Sequence, residues 1–405
     1  MGAETNIEVI FPDLFCYLLK KWGKCPAAPV SLLTKPIFGC IKNMRALPQK
    51  NHKFDARELI LMKVTIKEVA EKAGVSASTV SRVVGHYGYV SEKTRRKIRA
   101  AIRELDYKPN AIARSMVTKS TRTIGLVITD ITNPFFAHLV RGVEEVTWKN
   151  GYTLVLANTD ENLERERAMV STLQEKRVDG LIVVPASSNP APHLNSLLLD
   201  GTPLVLMDRS VKDCGVDVVM VDNEHGAYQA VMHLIDQGYR RIAMIVDNLD
   251  ISTNTERIAG YQRALEDGGA ETDENLVRSC QYTQQSAYTL VAEMLKSPTP
   301  PTALFTASNF MTMGAIRAIQ EAGLSIPEDI GLVGFDDVSW TTLNNPQLTV
   351  VSQPVHDLGK VAAQRLLARM QGDPIGPQEI RLKTHFIVRE SGGSGKQQKE
   401  MVPGD

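Results

Sequence analysis

The sequence predicts a small all-α helix-turn-helix head joined to an α/β body of two doubly wound lobes. Three observations carry that expectation: two short capped helices between Val64 and Val84, a change in charge near residue 120, and alternating strand-like and helix-like segments from Arg122 onward. The first pair divides at Gly74-Val75. Thr65 followed three residues later by Glu68 is a capping box, in which each side chain satisfies an orphan backbone donor of the first turn. Ser76 can cap the second helix in the same way. Val69, Ala70 and Ala73 give the first helix one apolar stripe, and Val80 with Val83 or Val84 gives the second another. The outward face of the second helix then carries Ser78, Ser81 and Arg82. That arrangement is what a DNA groove reader needs, although taken alone it also suits an ordinary αα-hairpin.

The surrounding charge favours the groove reader. Residues 62–120 hold thirteen Lys/Arg against five Asp/Glu, a net +8, and residues 1–61 hold nine against five, a net +4. The whole chain balances at 46 against 46, so residues 121–405 carry −12. A basic head on an acidic body implies that the head meets a polyanion through salt-sensitive phosphate contacts. A solvated face would explain any one lysine, but explains the clustering from Lys93 to Arg103 less well.

Ser91 caps a third helix, Glu92 to Leu105, with Ile98, Ile102 and Leu105 on its apolar side. In Tyr107-Lys-Pro-Asn110, Pro109 breaks the chain and Asn110 is a natural N-cap. Ala111 to Val117 has helical composition but spans only two turns, and isolated helices under about 12–15 residues are marginal in water. The segment is expected to be mostly coil until something packs against it, as a switch or as a plain linker.

From Arg122 the texture changes. Strands are expected at Thr123–Thr129, Tyr152–Asn158, Gly180–Pro185, Leu204–Met207 and Val218–Val221, with helices at Phe135–Asn150 and Leu163–Lys176. A second set has strands at Ile242–Val246, Ala303–Thr306 and Ile330–Gly334, and helices near Thr255–Glu266, Gln284–Lys296 and Met311–Ala322. Such alternation means parallel sheets covered on both faces. About 285 residues exceed what one core usually holds, so two lobes are expected. Ligands of such sheets settle beyond the carboxyl ends of the strands, here the loops at Asp130–Phe136, Asp208–Ser210 and Phe335–Asp337.

With these segments in place, residues 62 to about 390 resemble the lactose/galactose repressor family of bacterial transcription regulators. The matching motifs are Thr65-Ile-Lys-Glu-Val-Ala, Gly74-Val-Ser-Ala-Ser-Thr-Val-Ser-Arg82, Tyr107-Lys-Pro-Asn110, Asn133-Pro-Phe-Phe136, Arg177-Val-Asp-Gly-Leu-Ile182, Gly334-Phe-Asp-Asp337 and Gln353-Pro354. The run from Thr132 to Arg177 looks most like regulators of ribose and related sugars. The resemblance implies a periplasmic-binding-protein-like body and five segments: an N-terminal extension (1–61), a helix-turn-helix domain (62–109), a hinge helix and linker (110–120), an effector-binding and dimerisation domain (121–390) and a polar tail (391–405).

It also implies roles. Thr65, Ala77, Ser78, Thr79, Ser81 and Arg82 fall at DNA-contacting positions, with Ala77, Ser78 and Arg82 at base edges and Thr79 and Ser81 at phosphates. An arginine bidentate to guanine is worth about 1–3 kcal/mol of discrimination. Asn110, Ala113 and Met116 belong to the matching hinge helix, which in the family folds on the operator. Met116 stands where an apolar side chain wedges into the minor groove and kinks the duplex; leucine is more usual there. For the effector, Phe135 and Phe136 match aromatics that sandwich a sugar ring, with Asn133 beside them. Asp208, Arg209, Arg257, Asp336 and Gln353 match positions that read hydroxyls. Each could instead be a core or salt-bridge residue.

One departure concerns the ligand. Where relatives commonly have Asn-Asp, this chain has Ser308-Asn309, so a carboxylate is missing. With Arg209 and Arg257 kept, the cleft is expected to be less negative than a neutral-sugar site and to suit a sugar acid. Trp340, placed near the cleft, would equally favour a bulky neutral sugar. Effector and operator are expected to favour conflicting lobe angles, so that ligand releases DNA; if they agree, the ligand is a corepressor. Coupling of about 1–3 kcal/mol gives a 5–150-fold change.

A dimer is expected because one head covers half a palindromic site. The end, from Gly392, is polar and glycine-rich and reads as a disordered tail without a tetramerising heptad. Gly393-Ser-Gly-Lys396 lacks the glycine spacing of a phosphate loop. Val9–Leu19 is apolar but too short for a membrane span and lacks a signal peptide's basic start. Residues 1–61 are therefore expected to be a disordered extension or a mis-assigned start. The five cysteines show no metal-type spacing, consistent with a reducing cytoplasm. No cofactor, metal site or catalytic constellation is expected: His225 and His233 make no ligand pair, and Asp336 and Asp337 are adjacent. A periplasmic sugar-binding protein would share the body but needs an export signal and no basic head.

Overall fold

The computed structural model describes residues 64–85, 87–108, 115, 118 and 120–393. The expectations for residues 1–61, for Asn110, Ala113 and Met116, and for residues 394–405 lie outside the described residues. No described helix is long and apolar enough to cross a membrane.

The head contains α1 (Ile66–Ala73), α2 (Ala77–Gly85) and α3 (Glu92–Glu104). At α1 the Glu68 carboxylate accepts from the Thr65 N–H at 2.6 Å and from Thr65 Oγ1 at 3.0 Å. Gly74, at φ +65°, ends the helix in the left-handed region that glycine enters without a Cβ clash. Ser76 Oγ accepts from the Thr79 N–H at 3.2 Å, and Ser91 Oγ from the Thr94 N–H at 3.3 Å, so both expected caps form. Val69, Ala73, Val80, Val83, Val90 and Ile98 close one small core beneath the three helices.

In the first lobe follow β1 (Thr123–Ile128), α4 (Pro134–Lys149), β2 (Thr153–Asn158), α5 (Leu163–Glu175), β3 (Gly180–Val183), α6 (Pro192–Leu199), β4 (Leu204–Met207) and β5 (Asp217–Val221). The second holds α7 (Asn223–Asp236), β6 (Ile242–Val246), α8 (Ser252–Gly268), β7 (Val277–Ser279), α9 (Gln284–Leu295), β8 (Ala303–Thr306), α10 (Asn309–Glu321), β9 (Gly331–Phe335) and β10 (Thr349–Ser352). The chain then returns: α11 (Val355–Met370) and β11 (Glu379–Leu382) complete the first lobe, and β12 (His385–Ile387) completes the second. The two six-stranded sheets run β11-β5-β4-β3-β1-β2 and β12-β10-β9-β8-β6-β7. The expected parallel pairing holds except at one edge, where β12 lies antiparallel to β10.

Each lobe pairs two helices through glycine. A Cβ on Gly142 of α4 would lie 2.1 Å from the His356 carbonyl of α11, and one on Gly260 of α8 would lie 2.1 Å from the Glu224 carbonyl of α7. Those helices approach backbone to backbone, which leaves room for a dense core above each sheet.

One boundary moves. Ser391–Gly393 belongs to the body rather than to a tail: it is buried, Ser391 Oγ donates to the Leu332 carbonyl at 2.6 Å, and the Leu332 N–H donates to the Ser391 carbonyl at 2.8 Å. At the other end of the body, Asp179 holds the linker's exit. Its carboxylate accepts from Ser120 Oγ, from the Thr121 N–H at 2.7 Å and from the Arg122 N–H at 3.0 Å.

Candidate functional site

On the head, Thr65, Ser78 and Arg82 are exposed, while Ala77, Thr79 and Ser81 are half-buried. Ala77 packs against the small core. Ser81 Oγ lies 2.7 Å from the Tyr87 hydroxyl, and Thr79 Oγ1 lies 2.8 Å from Ser76 Oγ. The two hydroxyls expected at phosphates thus already have partners inside the head, and the Ser81–Tyr87 contact ties the turn after α2 to the helix. Tyr89, beyond that turn and 91% exposed, escaped the sequence analysis because an aromatic in a short loop has no periodicity to mark it.

Between the lobes, a cavity of about 40 Å³ is lined by Asn133, Phe135, Phe136, Asp208, Arg209, Asp247, Thr253, Asn254, Arg257, Tyr282, Ser308, Asp336 and Gln353. The expected effector residues other than Asn309 all lie on this wall. Asn309 is buried just behind it, where its Nδ2 donates to Asn133 Oδ1 at 2.9 Å and its N–H donates to Asp336 Oδ2 at 3.2 Å. The geometry follows from strand ends. Asp208 comes directly after β4 with φ +68°, and Asp336 directly after β9 with φ +81°. Asparagine and aspartate tolerate that region better than most residues, and such outliers cluster at ligand sites. Asn133 caps α4, its Oδ1 accepting from the Phe135 N–H at 2.9 Å, so the two phenylalanines enter the pocket from the first turn of a helix. Their rings meet edge to face at 5.0 Å.

Of the two cations behind the expectation of a less negative cleft, Arg209 is already paired within the protein. Arg209 donates Nη1 and Nη2 to Glu161 at 2.7 and 2.8 Å, and Nη1 also to the Pro185 carbonyl at 3.0 Å. Its charge is therefore largely cancelled before any ligand arrives. Arg257 donates Nε to Asn223 Oδ1 at 2.9 Å and Nη1 to the Ala307 carbonyl, and lies 3.6 Å over the Phe335 ring. Three carboxylates, Asp208, Asp247 and Asp336, stand against these two guanidinium groups. Burial pushes Asp208 up to about 6, opposed by Arg209 and Arg257. It raises Asp336 as well, opposed by Arg257 and by Gln353, whose Nε2 donates to Asp336 Oδ1 at 2.6 Å. Burial also lowers Arg257 from the usual guanidinium value, opposed by Asp336 and Asp208. On this wall, Ser308 Oγ, Gln353 Oε1 and Arg209 Nε are buried without a hydrogen-bond partner among the described residues. The wall is rich in acceptors and suits a ligand that brings several hydroxyl donors.

Trp340 does not reach this cavity. It packs against the second lobe's core and borders a separate surface groove with Met313 and Leu343. Asp337 likewise turns away, accepting from Arg389 Nη1 and Nη2 at 3.0 and 2.9 Å. Asp247, Thr253, Asn254, Tyr282 and Glu161 escaped the sequence analysis. Asp247 follows β6 as Asp208 follows β4, so the strand-end rule could have found it. Tyr282 follows β7, a three-residue edge strand with no apolar run to announce it. It receives the Asn133 Nδ2 donor across the lobe boundary.

Two family profiles match the chain. One, described as periplasmic binding proteins and sugar binding domain of LacI family, matches residues 121–390. The other, described as bacterial regulatory proteins, lacI family, matches residues 65–110. Among curated relatives, the HTH-type transcriptional repressor PurR of Aliivibrio salmonicida (strain LFI1238) is 38% identical over 329 residues, covering 81% of this chain and 98% of the relative. Among solved structures, the lac repressor dimer bound to operator and the anti-inducer ONPF aligns with a TM-score of 0.73 at 28% identity, over 82% of this chain and 99% of that one. A LacI family transcriptional regulator from Enterococcus faecium with bound ribose aligns with a TM-score of 0.61 at 32% identity, over 68% and 100%.

Proposed function

The chain belongs to the lacI family of bacterial regulatory proteins, as a DNA-binding transcriptional repressor with a small-molecule effector, and from that premise we propose that its effector is a neutral sugar. In this reading a homodimer binds a palindromic operator in the cytoplasm, controls genes of sugar catabolism, and is released when the sugar closes the lobes. Thr65, Ser78 and Arg82 meet the duplex from the exposed side of the head, with Asn110, Ala113 and Met116 forming the hinge contact. Phe135, Phe136 and Tyr282 supply apolar walls for the C–H faces of a ring, and Asp208, Asp247 and Asp336 accept its hydroxyls.

The observation that carries the ligand class is the pairing of Arg209 with Glu161. It cancels one of the two cations on which a sugar acid would depend and leaves the acceptors Asp208, Asp247 and Asp336 facing Arg257 alone.

Calorimetry of the full-length chain with D-ribose, D-glucose, D-glucuronate and hypoxanthine tests this. A neutral sugar is expected to bind at least tenfold more tightly than glucuronate; preferential binding of glucuronate or hypoxanthine would overturn the ligand class. Footprinting on genomic fragments at low ionic strength, with and without the bound sugar, tests the rest. A protected palindrome that is lost with sugar is expected. Protection strengthened by sugar would make it a corepressor.

A further inference from the structure

The chain passes between the lobes three times, at residues 221–223, 352–355 and 382–385. The first and third passages are tied together, the Asp222 N–H donating to the Leu382 carbonyl at 2.9 Å. Beside that tie runs a row of side chains that begins in the pocket wall. Arg257 spends Nε on Asn223 and Nη1 on Ala307, which leaves Nη2 as the guanidinium nitrogen for a ligand. Asn223 is fully buried and is the first residue of α7, at the first passage. Its Nδ2 donates to Glu256 Oε2 at 3.0 Å. Glu256 in turn accepts Nη2 and Nη1 of Arg381 at 2.7 and 3.0 Å. Arg381 stands on β11 in the first lobe, one residue before Leu382, whereas Glu256 and Arg257 are neighbours on α8 in the second. The row therefore joins the pocket to both tied passages, each step a hydrogen bond, and its last step crosses from one lobe to the other.

We propose that Asn223, Glu256 and Arg381 are positioning residues that convert the seating of Arg257 into the angle between the lobes. They would set how strongly sugar and DNA influence one another, rather than how tightly either binds alone. The inference rests on the proposed function. Its physical basis is the unequal firmness of the two ends. At the pocket, Arg257 and Asn223 are buried, and parting them leaves donor and acceptor unpaired where water does not reach. At the other end the Arg381 side chain is 37% exposed, so water can reach it when Glu256 moves away. A row fixed at one end and releasable at the other has two discrete arrangements, and a lobe angle biased by both sites is what coupling requires.

The test uses full-length wild type, Arg381→Met, Arg381→Lys, Arg257→Lys and the double variant Arg257→Lys/Arg381→Met. The probes are D-ribose and a duplex selected by the wild type from a randomised palindromic library. Arg381→Met is expected to bind D-ribose and duplex separately within threefold of wild type. The fold-change in duplex affinity produced by saturating D-ribose should fall at least fivefold, and Arg381→Lys should recover part of it. An undiminished fold-change in Arg381→Met overturns the proposal. A second measurement needs no ligand: hydrogen exchange of the Asp222 amide. Arg381→Met and Arg257→Lys should each speed exchange at least threefold, with the double variant falling well short of the product of the two. Accelerations that simply multiply overturn the proposal. If neither D-ribose nor D-glucose binds the wild type, the sugar reading fails on its own, and the exchange measurement still decides the row.

Discussion

Asp208 is 6% exposed, follows a strand that ends against the cavity, and has a pKa pushed up to about 6 by burial. Its ordinary value lies near 3.8, so the folded state holds the proton more tightly than the unfolded chain does. Stability from this group is complete below pH 4 and is lost as pH rises through 6, a difference of about 3 kcal/mol. Asp208→Asn is expected to flatten the pH dependence of urea unfolding between pH 4 and 7. The same group should make sugar binding strengthen as pH rises through 6, since the ionised carboxylate is the better acceptor for a hydroxyl. Calorimetry from pH 5 to 8 checks this; a pH-independent affinity would remove Asp208 from the ligand contacts. The Arg209–Glu161 pair permits a separate forecast. The Arg209 side chain is 6% exposed, so Glu161→Leu leaves a guanidinium buried with its best partner gone. A loss of about 3 kcal/mol or more in unfolding free energy is expected, and the double variant Arg209→Met/Glu161→Leu should recover much of it.

Among the elements, the close approach of α4 to α11 is the most sensitive contact. Gly142→Ala drives a Cβ onto the His356 backbone carbonyl, which cannot rotate away as a side-chain tip can. A loss of about 1–3 kcal/mol is expected by thermal unfolding, against about 1 kcal/mol for removal of the α3 cap by Ser91→Ala. The caps and central strands were legible in the sequence because local chemistry alone specifies them: Thr65 with Glu68, or the unbroken apolar run Ile124–Ile128. Elements shaped by packing were not. α7 buries Gly226, Ala227 and Ala230, whose small side chains make no strong apolar stripe. β11 and β12 are short, half-exposed edge strands that exist because a neighbour pairs with them. The pocket divided along the same line. Residues at strand ends could be anticipated, whereas the cancellation of Arg209 by Glu161 joins positions 48 apart and is visible only in three dimensions.

Across the whole molecule, charge is segregated, with +8 on residues 62–120 and −12 on residues 121–405. Duplex affinity should therefore fall steeply with salt, the slope of log affinity against log salt being roughly 0.9 per phosphate neutralised. Lys97 is exposed on α3 with its neighbours Arg96 and Lys93. Lys97→Gln is expected to weaken binding to all duplexes alike and reduce that slope by about one if it meets a phosphate. Fluorescence anisotropy at several salt concentrations distinguishes this from loss at one base pair.

The three passages between the lobes also bear on how the chain is made. Helix α11, which buries Leu358, Ala362, Ala363 and Leu366 in the first lobe, emerges from the ribosome only after nearly all of the second lobe. Neither half is a contiguous piece of sequence, so neither can finish its core while translation continues. Long-range closure of this kind slows folding and keeps apolar sheet faces uncovered for longer. A message truncated before Val355 would yield two unfinished lobes rather than one finished lobe, and its product would depend on chaperones until it was degraded.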